Sequence, residues 1–136
     1  MYKLGLIKDI NIGDKSSWSD KIFITLDVDW APDYVLSYTL DILEKYDLKA
    51  TIFATHTTPL LDNLRYQKNV EIGIHPNFNF LLDGDYRYGN NFKQIIKYYL
   101  SLFPDAKSVR SHSMTQNTPI LRAFSDYGLK FESNHF

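Results

Sequence analysis

The sequence predicts an α/β protein built on a parallel sheet. Three observations predict it. Segments of strand period and helix period alternate from residue 21 to residue 133. The connections between them are short, as right-handed crossovers require. Ligand-type side chains gather where the strand segments end, and parallel α/β folds keep their sites at the carboxyl ends of their strands.

Residues 1–20 form a polar lead-in that ends in "GDKSSWSD", a loop-like stretch, and residues 21–136 form the domain proper. "KIFITLDVD" (21–29) is the first strand. "DYVLSYTLDILEKY" (33–46) repeats apolar residues at helical spacing through Val35, Leu36, Leu40 and Leu43, with Asp33 as its expected cap. "ATIFAT" (50–55) is the second strand. "TPLLDNL" (58–64) is a short helix capped by Thr58, with Pro59 in its first position. "NVEIGIH" (69–75) is the third strand. A loop rich in Gly and Asn precedes the helix "NFKQIIKYYLSLF" (91–103). "KSVRSH" (107–112) is the fourth strand. "TPILRAFSDYG" (118–128) opens on Thr-Pro and closes on Gly128, and "LKFES" (129–133) is the fifth strand. An open sheet is complete at five strands, whereas a parallel barrel needs about eight. The pattern therefore reads either as an open sheet or as the front part of a barrel.

The chain has 136 residues, enough for one modest domain, and 44% of them are hydrophobic. A net charge of −1 gives a nucleic acid or an anionic membrane no electrostatic support. No cysteine is present, which excludes disulfides, thiolate metal sites and cysteine nucleophiles. No stretch has the length and apolarity of a membrane span or a signal peptide. These features lead us to expect a soluble, cytoplasmic protein.

The four histidines, His56, His75, His112 and His135, each fall at or just past a strand end. The pleat separates the faces. Ile22, Ile24, Leu26 and Val28 form an aliphatic face that belongs under the helices. Thr25, Asp27 and Asp29 take the opposite face, about 6.5–7 Å apart in succession. The same alternation turns His75 away from Val70, Ile72 and Ile74, and turns Arg110 and His112 away from Val109. Asp27, Asp29, His75, Arg110 and His112 are thus expected on one non-helix face; the parity of His56 leaves its direction open. Two carboxylates so close repel each other unless a cation lies near. Oxygen and imidazole ligands without sulfur suit Zn²⁺, and also Mn²⁺, Fe²⁺ or Co²⁺.

At these positions the chain resembles the polysaccharide deacetylases of the NodB-homology type, carbohydrate esterase family 4, and within them the subgroup found with surface-polysaccharide biosynthesis. "TLDVDWAPD" is similar to that family's first motif, "GIHPNFN" stands at the second and "SVRSHS" at the third, from about Lys21 onward. The resemblance implies a distorted parallel (β/α) barrel, here an incomplete five-strand portion. It implies removal of N-acetyl groups from an acetylated sugar or polysaccharide with a divalent metal. Asp27 matches the catalytic base and Arg110 the arginine that orients it. Asp29 and His75 match metal ligands, and Asn79 stands where a second metal histidine is usual. His112 is an alternative nitrogen ligand or, with His135, a stand-in for the general acid, which the family supplies from later motifs. Trp30, His56 and Phe78 are candidates for substrate contact, and Phe80, Tyr86, Tyr88 and Phe92 of the same loop could also stack on sugar rings. Two other readings of the cluster are a metal-dependent phosphoesterase and a non-catalytic sugar-binding domain that keeps the fold. The bland alternatives are solvated strand-end carboxylates, a structural ion pair for Arg110, and ordinary loop histidines at 56 and 135.

Overall fold

The structure is a computed structural model and describes residues 3–135. Its centre is a parallel sheet of five strands in chain order: β3 (Ile24–Asp27), β4 (Ala50–Ala54), β5 (Val70–Ile74), β6 (Ser108–Val109) and β7 (Phe131–Glu132). Helices α1 (Asp33–Lys45), α2 (Pro59–Leu64), α4 (Phe92–Leu102) and α5 (Thr118–Asp126) fill the crossovers, and a one-turn α3 (Asn79–Leu82) sits in the loop after β5. Strands that follow in sequence are neighbours in the sheet, as in the wall of a barrel.

Local chemistry explains the helix ends. The Thr58 side chain accepts from Leu61 N at 3.2 Å, as expected of a cap. Asn91 caps α4 by accepting from Gln94 N, while Gln94 Oε1 accepts from the N–H of Asn90, the residue before the cap. One expected cap, that of α1, is corrected, and α5 takes its cap from the residue before Thr-Pro. The cap of α5 is Asn117, whose side chain accepts from Ile120 N; Thr118 is already helical. Asp33 is the first helical residue and Pro32 stands at the cap position. Gly128, with φ +83, ends the α5 turn in the left-handed region that glycine tolerates.

The two faces of the sheet differ as the alternation requires. Ile52, Ala54, Val70, Ile74 and Val109 are buried in one core cluster with Ile95, Tyr99 and Phe124 from the helices. Burial pushes the Tyr99 hydroxyl's pKa up, so it stays protonated. The opposite face is layered. Nearest the amino ends, Glu71 accepts from the Thr51 hydroxyl at 2.7 Å and from the Ser108 hydroxyl. One layer on, Phe53 lies over Gly73, and the Arg110 guanidinium stacks on the Phe53 ring at 4.6 Å.

The first strand and the lead-in depart from expectation. The strand expected over 21–29 is broken at Phe23. Its first part is β2 (Lys21–Ile22), which pairs in parallel with β1 (Lys3–Leu4) in a separate two-stranded sheet. The lead-in is therefore tied into the fold. Leu6 and Ile7 are buried, Ile7 N donates to Thr51 Oγ1 at 3.2 Å, and Lys8 N donates to Glu71 Oε2 at 2.9 Å. Among the described residues no helix is long and apolar enough to cross a membrane.

Candidate active site

The carboxyl ends of β3, β5 and β6 bring the expected polar residues together. Asp27 is the last residue of β3 and opposes Phe53 of β4 in the register. His75 follows β5 directly; its backbone N donates to Ala54 O at 2.9 Å, and Arg110 N donates to Ile74 O at 3.1 Å. The Arg110 guanidinium is anchored on four contacts. Nη1 donates to Asp27 Oδ1 (2.9 Å), Nη2 to Thr25 Oγ1 (3.0 Å) and to Ser133 Oγ (2.8 Å), and Nε to Ser133 O (2.9 Å). Its planar fork fixes Asp27 through one oxygen and stitches β3 to β7 across the open face.

Asp29 is not on the pleat. β3 ends at Asp27, and a tight turn closed by Ala31 N donating to Val28 O carries Asp29 and Trp30 at φ +45 and +59. That turn delivers the Asp29 carboxylate to two imidazoles. Asp29 Oδ1 lies 3.0 Å from His112 Nδ1 and 3.3 Å from His75 Nε2, and the two ring nitrogens are 3.4 Å apart.

The protons decide what this triangle can hold. His75 Nδ1 lies 2.6 Å from Arg110 O, and a carbonyl only accepts, so Nδ1 carries the hydrogen and donates it. The neutral ring therefore turns its Nε2 lone pair toward Asp29 and His112. Burial of the His75 side chain pushes its pKa down and favours that neutral form, against the opposing pull of Asp27, the Arg110 carbonyl and Asp29. A carboxylate oxygen and an imidazole lone pair thus face one small space, an arrangement that a cation relieves. Three ligands bound at 2.0–2.1 Å around a tetrahedral ion stand about 3.3–3.4 Å apart. Asp29, His75 and His112 meet that spacing, and their donor set of one oxygen and two nitrogens suits Zn²⁺ and its first-row neighbours.

The other expected site residues fall elsewhere. Asn79 receives different partners: its Oδ1 accepts from the Thr115 hydroxyl and its Nδ2 donates to Ser113 Oγ, both at 3.0 Å, so it braces the loop after β6 while His112 joins the cluster. Phe78 is corrected as a sugar platform. It is 3% exposed and packs on Phe124 in the core, which leaves no open ring face. Phe80 and Tyr88 pack edge to face, and Tyr88 stacks on Tyr98, so these loop rings hold one another. Trp30 is 38% exposed and sets its ring edge-on to His112 at 5.2 Å, on the rim of the cluster. His56 Nδ1 meets Thr55 Oγ1 at 3.0 Å. His135 meets Glu132 and Gln116 at the end of β7. Sequence reasoning missed Ser133, Phe53 and Thr55. Of the supporting groups, only Thr25 had a signal, sharing the Asp27 face by the pleat.

Comparison with known proteins agrees with this fold. The family model described as WbmS-like polysaccharide deacetylase matches residues 24–136. A crystal structure of a candidate polysaccharide deacetylase involved in O-antigen biosynthesis (WbmS) from Bordetella bronchiseptica is 45% identical, with a TM-score of 0.90 over 97% of this chain and 54% of that one. A pseudoenzyme of carbohydrate esterase family 4 from Bacillus anthracis is 18% identical, with a TM-score of 0.53 over 97% of this chain and 43% of that one, and shares the fold. No curated protein matches the chain. The chain spans about half the length of these solved structures, and its five strands are a partial barrel of the NodB type. On the match across residues 24–136 and the 45% identity, the chain belongs to the WbmS-like polysaccharide deacetylase family.

Proposed function

We propose that this chain carries the metal-and-base part of an N-deacetylase site that acts on an acetamido sugar of a surface-polysaccharide precursor. The observation that carries the reading is the triangle of Asp29 Oδ1, His112 Nδ1 and His75 Nε2, with sides of 3.0, 3.3 and 3.4 Å, beside a carboxylate held by a partly buried arginine. Asp29, His75 and His112 would hold the ion, with Zn²⁺ as the best fit to the donor set. A divalent cation there would supply a Lewis acid to acidify water and polarise a carbonyl.

The chain's own groups do the rest. Asp27 takes the proton of the attacking water. Its Oδ1 is fixed by Arg110, which keeps it aimed, and a carboxylate has a second oxygen to accept the proton. The exposed ring of Trp30 offers an apolar face beside the cluster, of the kind a sugar ring packs on. The description of the Bordetella neighbour as involved in O-antigen biosynthesis supports a surface polysaccharide as the substrate class.

The test pairs metal analysis with acetate release from N-acetylated oligosaccharides. Asp29→Ala should lose stoichiometric metal. Asp27→Asn should keep the metal and lower acetate release by roughly 10²–10⁴-fold. A wild-type chain that takes up no divalent ion would sink the reading. Metal uptake with saccharide binding but no acetate release would instead support a sugar-binding domain, and turnover of phosphate esters alone would support a phosphoesterase.

A further inference from the structure

Resting on that metal-site reading, we infer that Thr55 is a positioning residue: its buried hydroxyl holds the strained turn that aims Asp29. The turn Val28–Ala31 places two consecutive non-glycine residues at positive φ, Asp29 at +45 and Trp30 at +59. Aspartate tolerates that region, but a bulky residue such as tryptophan is a true outlier there. Such a conformation persists only where the surroundings over-determine it.

Thr55 supplies that determination from the residue after β4. It is 2% exposed, and its Oγ1 accepts the Trp30 backbone N–H at 2.9 Å. With its lone pair turned to Trp30, the hydroxyl proton is free to be donated to His56 Nδ1, 3.0 Å away. The line His56–Thr55–Trp30 therefore runs from a strand-end histidine to the turn. One consequence is the direction of the Asp29 carboxylate, toward His75 and His112. The other is the seat of the Trp30 ring against His112. On this account His56 serves the site by orienting the Thr55 hydroxyl.

The turn's other anchors are backbone groups, Val28 N donating to Phe53 O and Ala31 N donating to Val28 O. Side-chain substitution leaves those intact, so Thr55 can be tested alone. Thr51 is the control. It is an equally buried threonine at the opposite end of the same strand, where its hydroxyl serves Ile7 and Glu71.

The experiment titrates Co²⁺ into wild type, Thr55→Val, Thr55→Ser and Thr51→Val, reading affinity and the visible absorption bands that report coordination. Supporting ligand-orienting groups typically matter about 10–100-fold in metal affinity. Thr55→Val should therefore weaken Co²⁺ by about tenfold or more and alter the bands. Thr55→Ser, which keeps the hydroxyl, should bind as wild type does. Thr51→Val should lose thermal stability while keeping affinity and bands. Equal binding by wild type and Thr55→Val overturns this inference alone, as does an equal loss in Thr51→Val. Absence of Co²⁺ binding by wild type removes the metal-site reading and this inference with it. Should Thr55→Val fail to fold, hydrogen exchange at the Trp30 amide of the wild type decides. Protection that deepens with Zn²⁺ supports the inference, and exchange at the rate of a free loop amide overturns it.

Discussion

His75 shows how one buried side chain fixes the chemistry of its neighbours. Its Nδ1–H goes to the Arg110 carbonyl, so the ring presents a lone pair rather than a second donor. Burial lowers its pKa from the ordinary value of 6.5. The unfolded chain then binds a proton at a higher pH than the folded one. The stability contributed by neutral His75 is complete above about pH 6.5 and is lost as pH falls through the lowered folded value. Thermal unfolding in chelator checks this. Between pH 7.5 and 5.5 the wild-type midpoint should fall further than that of His75→Gln, and parallel curves would refute it. The two carboxylates on β3 and its turn divide the remaining work at this scale. Asp27 is tied to a guanidinium, whereas Asp29 faces two imidazoles, so nearby residues of one type have unlike environments and unlike proposed roles.

At the scale of elements, β5 does two jobs at once. Its Val70 and Ile74 sit in the core, and its other face carries Glu71 and Gly73, with His75 one step beyond its end. Gly73 is there for space. A Cβ built on it would stand 2.8 Å from Phe53 Cδ1 and 2.8 Å from the backbone oxygen of Ser108. Phe53 is fully buried and carries the Arg110 guanidinium, so the ring has little room to withdraw. Gly73→Ala should therefore destabilise the fold by about 1–3 kcal/mol, the usual cost of overpacking. It should also disturb the Arg110–Asp27 pair. Denaturant unfolding measures the first effect, and a change below ~0.5 kcal/mol, within the range of neutral surface substitutions, would contradict it.

For the whole molecule, the lead-in closes the amino-terminal end of the sheet. Glu71 is a buried carboxylate with three donors, and one of them, Lys8 N, comes from the lead-in. Removing residues 1–20 would strip that donor and expose the Thr51–Glu71–Ser108 layer. Loss of a donor to a buried charged group costs about 1–3 kcal/mol or more. With the added loss of the β1–β2 pairing and of buried Leu6, the thermal midpoint of the 21–136 chain should drop by roughly 5–10 °C. An unchanged midpoint would show that the domain begins at residue 21, as composition alone suggests.

What the sequence determined by itself is local and directional. Period-two and helical spacing located all five strands of the main sheet and the four long crossovers, because each element's pattern depends only on which of its faces meets the core. The same parity sent Asp27, His75 and Arg110 to one side. The carboxyl-end position of the histidines was legible too, since it follows from strand order alone. The tertiary structure decided convergence. Arg110 and Asp27 are 83 residues apart, and so are His112 and Asp29; no local spacing states that they touch. Of four strand-end histidines, only His75 and His112 reach Asp29, because strand register and the left-handed turn at Asp29–Trp30 set the distances. Likewise the pairing of Lys3–Leu4 with Lys21–Ile22, and the seat of Lys8 over Glu71, depend on a crossover connection that two-residue strands do not announce.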